Sequence, residues 1–197
     1  MSDEIGGGFP EHPGPTEVVI LPVSDLLNPV IMCTHGHSVV CEDPQFLNPQ
    51  PGSGYSSWRW GGGGTFSSPA NPVKKWFHFA IPSQPYFRTG LNSPYVYRAH
   101  IYGVALQFKS DPKAVVHSVH VYDQYVKIYW RDDLDLSGDL TKQWQSEGVP
   151  GPNVFIVNGN PQIWGPIGLS VGVIFHTASS ITFTAAYAEF QYFQAQS

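Results

Sequence analysis

The 197-residue chain has a net charge of −5, with 13% of its residues charged and 42% hydrophobic. It has no Lys/Arg cluster to follow a phosphate backbone, which argues against nucleic acid as a partner. It also lacks a run of about 18 apolar residues that would form a membrane-spanning helix. The 20 Gly and 18 Pro break the sequence too often for long helices, so the composition points to an all-β chain with a large apolar interior or binding surface.

Residues 1–16 are acidic and rich in Gly and Pro, and read as a flexible N-terminal arm. They lack the basic and apolar regions of a secretory signal, so the expected location is the cytoplasm. Residues 17–197 are expected to form a single β-sandwich domain. The apolar, β-branched run 17–23 ends as an edge at Pro22, and 24–28 fits one helical turn capped by Ser24. Residues 30–42, VIMCTHGHSVVCE, read as one strand kinked at Gly36. On one continuous strand, Cys33 and Cys41 lie too far apart for a disulfide and read as two buried free thiols. Residues 43–72 read as a long Gly/Pro/aromatic-rich loop in which the run 61–64 acts as the hinge of a flap carrying Trp58 and Trp60.

The central strand is 75–82, KWFHFAIP. A period of two places Trp76, His78 and Ala80 on one face and Phe77, Phe79 and Ile81 on the other. Both faces are largely apolar, which predicts burial on both sides. A Pro-rich turn follows at 82–94, then a long strand at 95–108. Its alternation assigns Tyr95, Tyr97, Ala99 and Ile101 to one face and Arg98, His100, Tyr102, Val104, Leu106 and Phe108 to the other. Strands at 114–123, 125–130 and 153–157 come next. The last pair, 169–176 and 181–193, is separated by a short Thr/Ala/Ser link and reads as a hairpin. Ile181, Phe183, Ala185 and Tyr187 share a face, with Glu189 following in phase. Eight or nine strands without a helical period predict an antiparallel two-sheet sandwich of jelly-roll type or a flattened barrel.

Four segments occur in order: His35-Gly36-His37-Ser38-Val39, Trp76-Phe77-His78-Phe79-Ala80-Ile81-Pro82, Val119-His120-Val121-Tyr122-Asp123 and Gly168-Leu169-Ser170-Val171-Gly172-Val173. Together they resemble a family of small bacterial all-β domain proteins of unknown function over residues 30–190. The resemblance implies a single all-β domain and carries no activity, cofactor or site residue with it. This chain departs from that pattern in its N-terminal arm and in the insert at 45–72.

Side chains able to carry chemistry are sparse. His35 and His37 share a strand face, as in the H-x-H pair of a cupin, but the accompanying Glu and Gly pattern is missing. His117 and His120 fall on opposite faces unless a bulge intervenes. Residues 132–139 lack the glycine and terminal glutamate of a calcium loop and read as a solvated turn. There is no nucleophile elbow and no phosphate loop. The aromatic content stands out, with 6 Trp, 10 Tyr and 12 Phe.

These features lead first to an aromatic-lined cavity for an apolar small molecule, closed by a flap at 52–66 within the 43–72 loop. It would act as a cofactor-free cyclase or isomerase, for example in a pericyclic or cyclisation step on a polyketide or terpenoid intermediate. Its binding residues would be Trp58, Trp60, Phe66, Trp76, Tyr95, Tyr97, Tyr122 and Trp130. Its proton donors and hydrogen-bonding catalytic groups would be His78, His100, Tyr102 and Glu189, the last as an inward-facing acid. That reading uses no metal and no cofactor. The alternatives are a non-catalytic lectin-like or ligand-binding module, a cupin-like metal enzyme, and an assembly subunit whose exposed aromatics make a homo-oligomer.

Overall fold

The computed structural model describes residues 29–43, 56–69, 72–88, 96–142 and 151–194. Among these, twelve strands form two antiparallel sheets: β1 Val30–His35, β2 Val40–Cys41, β3 Ser56–Trp60, β4 Gly63–Ser68, β5 Val73–Ile81, β6 Tyr86–Arg88, β7 Val96–Ser110, β8 Ala114–Asp123, β9 Val126–Arg131, β10 Val154–Ile156, β11 Ile167–Phe175 and β12 Ser179–Gln194. The protein is thus the antiparallel β-sandwich that the turn-rich, alternating sequence predicts. Most connections cross from one sheet to the other. Among the described residues no helix is long and apolar enough to cross a membrane.

The seven-stranded sheet is built on the two longest strands, β7 and β12, which pair along nearly their whole length. The far edge of β12 is shared by β4 and β1, and β3 lies outside β4. The far edge of β7 is shared by β6 and β10. The five-stranded sheet runs β2-β5-β11-β8-β9. Between the sheets lies one core containing Phe66, Phe77, Phe79, Phe108, Phe155, Phe175, Phe183 and Phe190, all at 2% exposure or less. Phe183 meets Phe77 and Phe79 at ring-centroid distances of 5.1 and 5.4 Å, within the range of favourable aromatic pairs.

Several sequence expectations change here, each for a local reason. The strand expected at 30–42 breaks at Gly36–Ser38, a single 3-10 turn that carries the chain from one sheet to the other. Residues 56–68, expected to lie within the 43–72 loop, form the β3–β4 hairpin, with Trp60 opposite Gly63 and Gly61-Gly62 as the turn. The glycine run is therefore a close-packing device. A Cβ on Gly63 would sit 2.2 Å from the Phe183 carbonyl oxygen, and one on Gly64 2.9 Å from that of Gly36. The expected terminal hairpin is a crossover, because β11 belongs to the five-stranded sheet and β12 to the other.

The β7 and β12 faces differ from strict alternation because each strand carries a bulge. The β7–β12 register slips at Thr184 and again at Tyr102. An extra residue reverses which side chains face inward. On β7, Tyr97, Ala99 and Ile101 point into the core before the bulge, and Val104, Leu106 and Phe108 after it. On β12, Ile181 and Phe183 point inward, then Ala186, Ala188, Phe190 and Tyr192. Tyr187 and Glu189 consequently lie on the outer face, so Glu189 is not the inward acid that the sequence predicts.

Candidate functional site

The outer face of the five-stranded sheet gathers the largest set of expected site residues. On β5 the inward positions are Phe77, Phe79 and Ile81, and the outward ones are Lys74, Trp76, His78 and Ala80. This face is open, so His78 lies against solvent and not within the core that sequence reasoning expected. On β11 the inward residues are Leu169, Val171 and Val173, and the outward ones are Gly168, Ser170 and Gly172. Small outward residues on this central strand let neighbouring side chains lie across it: a Cβ on Gly172 would meet Lys74, Ser118 and Trp76 at 2.8, 3.2 and 3.3 Å.

Strand register sets the rest of the site. His78, Ser170, His120 and Trp130 lie opposite one another in sequence across β5, β11, β8 and β9. Trp76, Gly172 and Ser118 form the next row, and Ala80, Gly168 and Tyr122 the row on the other side. Three strand spacings separate β5 from β9, so the platform is roughly 14–15 Å wide.

The polar groups of this face are oriented by one another. His78 Nδ1 is hydrogen-bonded to Ser170 Oγ at 2.9 Å. His120 Nε2 donates to Asp132 Oδ1 at 3.0 Å, and its ring lies 4.9 Å from Trp76 and 6.5 Å from Tyr122. Hydrogen bonds from Ser118 and then His120 hold the Asp132 carboxyl below the usual carboxylate range. Lys74 Nζ donates to Ser118 Oγ at 2.9 Å and sits 4.8 Å above the Trp76 ring. At the opposite rim Lys127 Nζ is 5.4 Å from the ring of Trp130, whose residue is 60% exposed. Beside Trp76 a surface cleft of about 330 Å³ opens between Glu42, Asp43, Lys74 and Lys75. Lys75 and Asp43 form an ion pair across it.

Trp76, His78, Tyr122 and Trp130 therefore share one face. The other expected site residues lie elsewhere. Phe66 is wholly buried, 4.7 Å from Phe77, and Tyr97 is a core residue stacked at 5.0 Å on Phe87. Both fill the interior and line no opening. Trp58 and Trp60 are exposed on β3, an edge of the seven-stranded sheet, where Trp60 Nε1 donates to Thr65 Oγ1 at 3.3 Å. His100 donates through Nδ1 to the Asn160 carbonyl at 2.7 Å. Tyr102 stands at the β7 bulge, and burial pushes the Glu189 carboxyl above its ordinary value. The four candidate catalytic groups thus divide between the outer surfaces of two sheets, with His78 alone on the five-stranded one. Tyr95 lies outside the described residues.

Sequence reasoning left His120, Ser118, Ser170, Lys74 and Asp132 out of the binding set. One signal was available: the alternation Gly168, Ser170, Gly172 against Leu169, Val171, Val173 marks an outer face kept low. His117 is the extra residue of a bulge where β8 meets β11, between Val116 and Ser118, a shift that strict alternation does not reveal. Among the described residues no three His, Cys, Asp or Glu side chains are grouped as a metal site would need. Cys33 and Cys41 are both free, but only Cys41 is buried as expected; Cys33 is exposed, because it points outward on β1.

No protein-family model matches the chain, and no curated protein does. Comparison with solved structures finds the carbohydrate-binding module TmCBM61 in complex with β-1,4-galactotriose. The identity is 10% and the TM-score 0.36, over 84% of this chain and 88% of that one. At that level the likeness bears on neither family nor ligand.

Proposed function

We propose that the protein is a non-catalytic binding module whose outer five-stranded face holds a saccharide. The observation that carries this reading is the Trp76–Trp130 platform: the Trp76 ring reaches across Gly172 to His120, exposed Trp130 stands beyond His120 on β9, and His78 and Ser170 continue the same row on β5 and β11. A pyranose ring has an apolar C–H face that suits an aromatic side chain and a rim of hydroxyls that suits imidazole, hydroxyl and carboxylate partners. His78 and His120 already have one ring nitrogen engaged each, by Ser170 and Asp132. Their other nitrogens are thereby oriented for a ligand. Lys74 and Asp132 add charge-assisted partners at the rim.

The cyclase reading has less support. It needs rings around an enclosed chamber, and two of its proposed rings, Phe66 and Tyr97, are core packing. Its four proposed catalytic groups do not converge.

Glycan-array screening of the purified chain, followed by titration of the best glycan by tryptophan fluorescence, tests the proposal. Loss of one stacking ring costs about 1–3 kcal/mol of affinity, so Trp130→Ala and Trp76→Ala should each weaken binding by roughly 5- to 150-fold. Trp58→Ala, on the other sheet, should leave it unchanged. Array silence, or affinity retained in both platform variants, would overturn the assignment.

A further inference from the structure

We propose a second, independent site: a two-histidine chelate for a divalent first-row transition metal, formed by His35 and His37 where the chain crosses between the sheets. The two Nδ1 atoms are 2.7 Å apart, the ring centroids 4.7 Å apart, and both residues are exposed. The intervening turn holds them there. His35 keeps extended backbone angles, and its Nδ1 also accepts the His37 backbone N–H at 3.2 Å. Ser38 Oγ donates to the His35 carbonyl at 2.7 Å and lies 2.8 Å from Thr34 Oγ1. Beneath the turn, Gly36 presses against the Phe183–Thr184 backbone.

Two imidazole nitrogens at hydrogen-bond distance share one proton, and that proton is what a metal replaces. With metal–nitrogen bonds of about 2.0–2.1 Å, nitrogens 2.7 Å apart subtend roughly 80–85° at the metal. That is near the right angle between neighbouring ligands in square-planar or octahedral coordination. A tetrahedral site would need the nitrogens about 3.3 Å apart. The spacing as it stands lies nearer the first geometry, and a pair of imidazole donors suits Cu²⁺ and Ni²⁺. Each ring has only to tilt about its χ2 to turn its lone pair toward a common point. No third His, Cys, Asp or Glu joins the pair among the described residues. The remaining coordination positions fall to water or to an external ligand. The site lies on the β1–β2 connection and does not depend on the saccharide reading.

The test is calorimetric titration of the full chain with NiCl₂, ZnCl₂ and CuCl₂, with electron paramagnetic resonance of the Cu²⁺ form. One equivalent of Ni²⁺ should bind, more tightly than Zn²⁺, and the Cu²⁺ spectrum should show coupling to two nitrogens. His37→Gln should weaken Ni²⁺ binding roughly tenfold or more, because the second ligand no longer adds intramolecularly. His35→Gln should do the same. His176→Gln, which removes another exposed histidine, and Cys33→Ser should bind as the parent does. If His35→Gln disturbs the turn, seen as a lowered Tm, the exposed His37→Gln decides. No Ni²⁺ binding by the parent, unchanged binding in His37→Gln, or loss of binding in Cys33→Ser would each overturn the proposal.

Discussion

Gly36→Ala provides the sharpest test of how the two sheets are joined. A Cβ at this position would lie 2.0 Å from the Phe183 carbonyl oxygen, 2.4 Å from its carbonyl carbon and 2.7 Å from the Thr184 nitrogen. All three atoms are backbone, so no flexible side chain can move aside. Restoring a contact of about 3.5 Å requires the turn and β12 to separate by more than 1 Å. That separation would fall where β12 is already bulged, and where β4 and β7 pair with it. Inserting a methyl into packed surroundings costs about 1–3 kcal/mol, and more where the neighbours cannot yield. The lost flexibility of the unfolded chain returns about 0.4–1 kcal/mol. Because all three neighbours are backbone, the cost falls at or just above the top of that range, and the net destabilisation should be about 2–3 kcal/mol, read as a Tm lowered by roughly 4–12 °C for a chain of this length. Urea and thermal unfolding followed by circular dichroism measure it. Gly61→Ala is the matched control, since a Cβ there meets nothing within 4 Å, and it should fall within about 0.5 kcal/mol of the parent. A loss below about 1 kcal/mol for Gly36→Ala would show that β12 yields easily, and would refute the argument that the turn is clamped.

Three further perturbations separate the surfaces. Asp132 has a carboxyl held low by Ser118 and His120, so it contributes stability that is present above about pH 4 and lost as pH falls through its depressed value. Asp132→Asn should lower Tm at pH 7, with the deficit shrinking as pH falls below about 4; a deficit independent of pH would exclude the electrostatic cause. Glu189 is shifted the other way by burial, so its ionised form opposes folding, and Glu189→Gln should raise Tm at pH 7 with no gain below about pH 4, where the carboxyl is protonated in both states. Burial pushes the Cys41 thiol up to about 11 whereas Cys33 is exposed; a thiol reagent at pH 8 should therefore modify one cysteine in the native protein and two after denaturation, and native modification of Cys41 would contradict its placement.

The class of fold was legible because two-residue alternation survives in most strands: the inward faces of β5 and β11 read correctly from Phe77, Phe79, Leu169 and Val171, although the burial expected on both sides of β5 does not hold. What alternation cannot contain is a residue that leaves no compositional mark when it becomes a bulge. Thr184 and Tyr102 are ordinary strand residues, yet each reverses the faces of everything beyond it. That single effect moved Glu189 outward, and it also brought Val104, Leu106 and Phe108 into the same core as Tyr97 and Ile101. The hairpin at 56–68 was hidden for the opposite reason. Its glycines look like a flexible hinge, whereas Gly63 and Gly64 are small because the backbones of Phe183 and Gly36 approach them. Close approach and flexibility use the same residue, and only the partner strand distinguishes them. At the site, Trp76, His78, Tyr122 and Trp130 were identifiable as aromatic or polar residues on apolar strands. Their convergence was not, because strand order across β5-β11-β8-β9 joins segments up to about ninety residues apart.

An open face and a closed chamber also differ in what they can do energetically. Preorganised dipoles lower a reaction barrier most where water is excluded and the effective dielectric constant is low. On the outer five-stranded face, His120 and Asp132 have side chains that are 13% and 45% exposed. Solvent screens charge there, and one hydrogen bond to a developing oxyanion would add little. Stacking on Trp76 and Trp130 suffers less, because it depends on contact area and ring geometry more than on local dielectric. Such a surface is suited to summing several modest contacts along a ligand that is itself hydroxylated and remains partly hydrated. It is poorly suited to forcing an apolar guest into a reactive shape, which needs walls on every side. Trp76, His78, Tyr122 and Trp130, which read as a pocket lining in sequence, thus suit the proposed recognition surface once their direction is known, because the direction decides whether water is present.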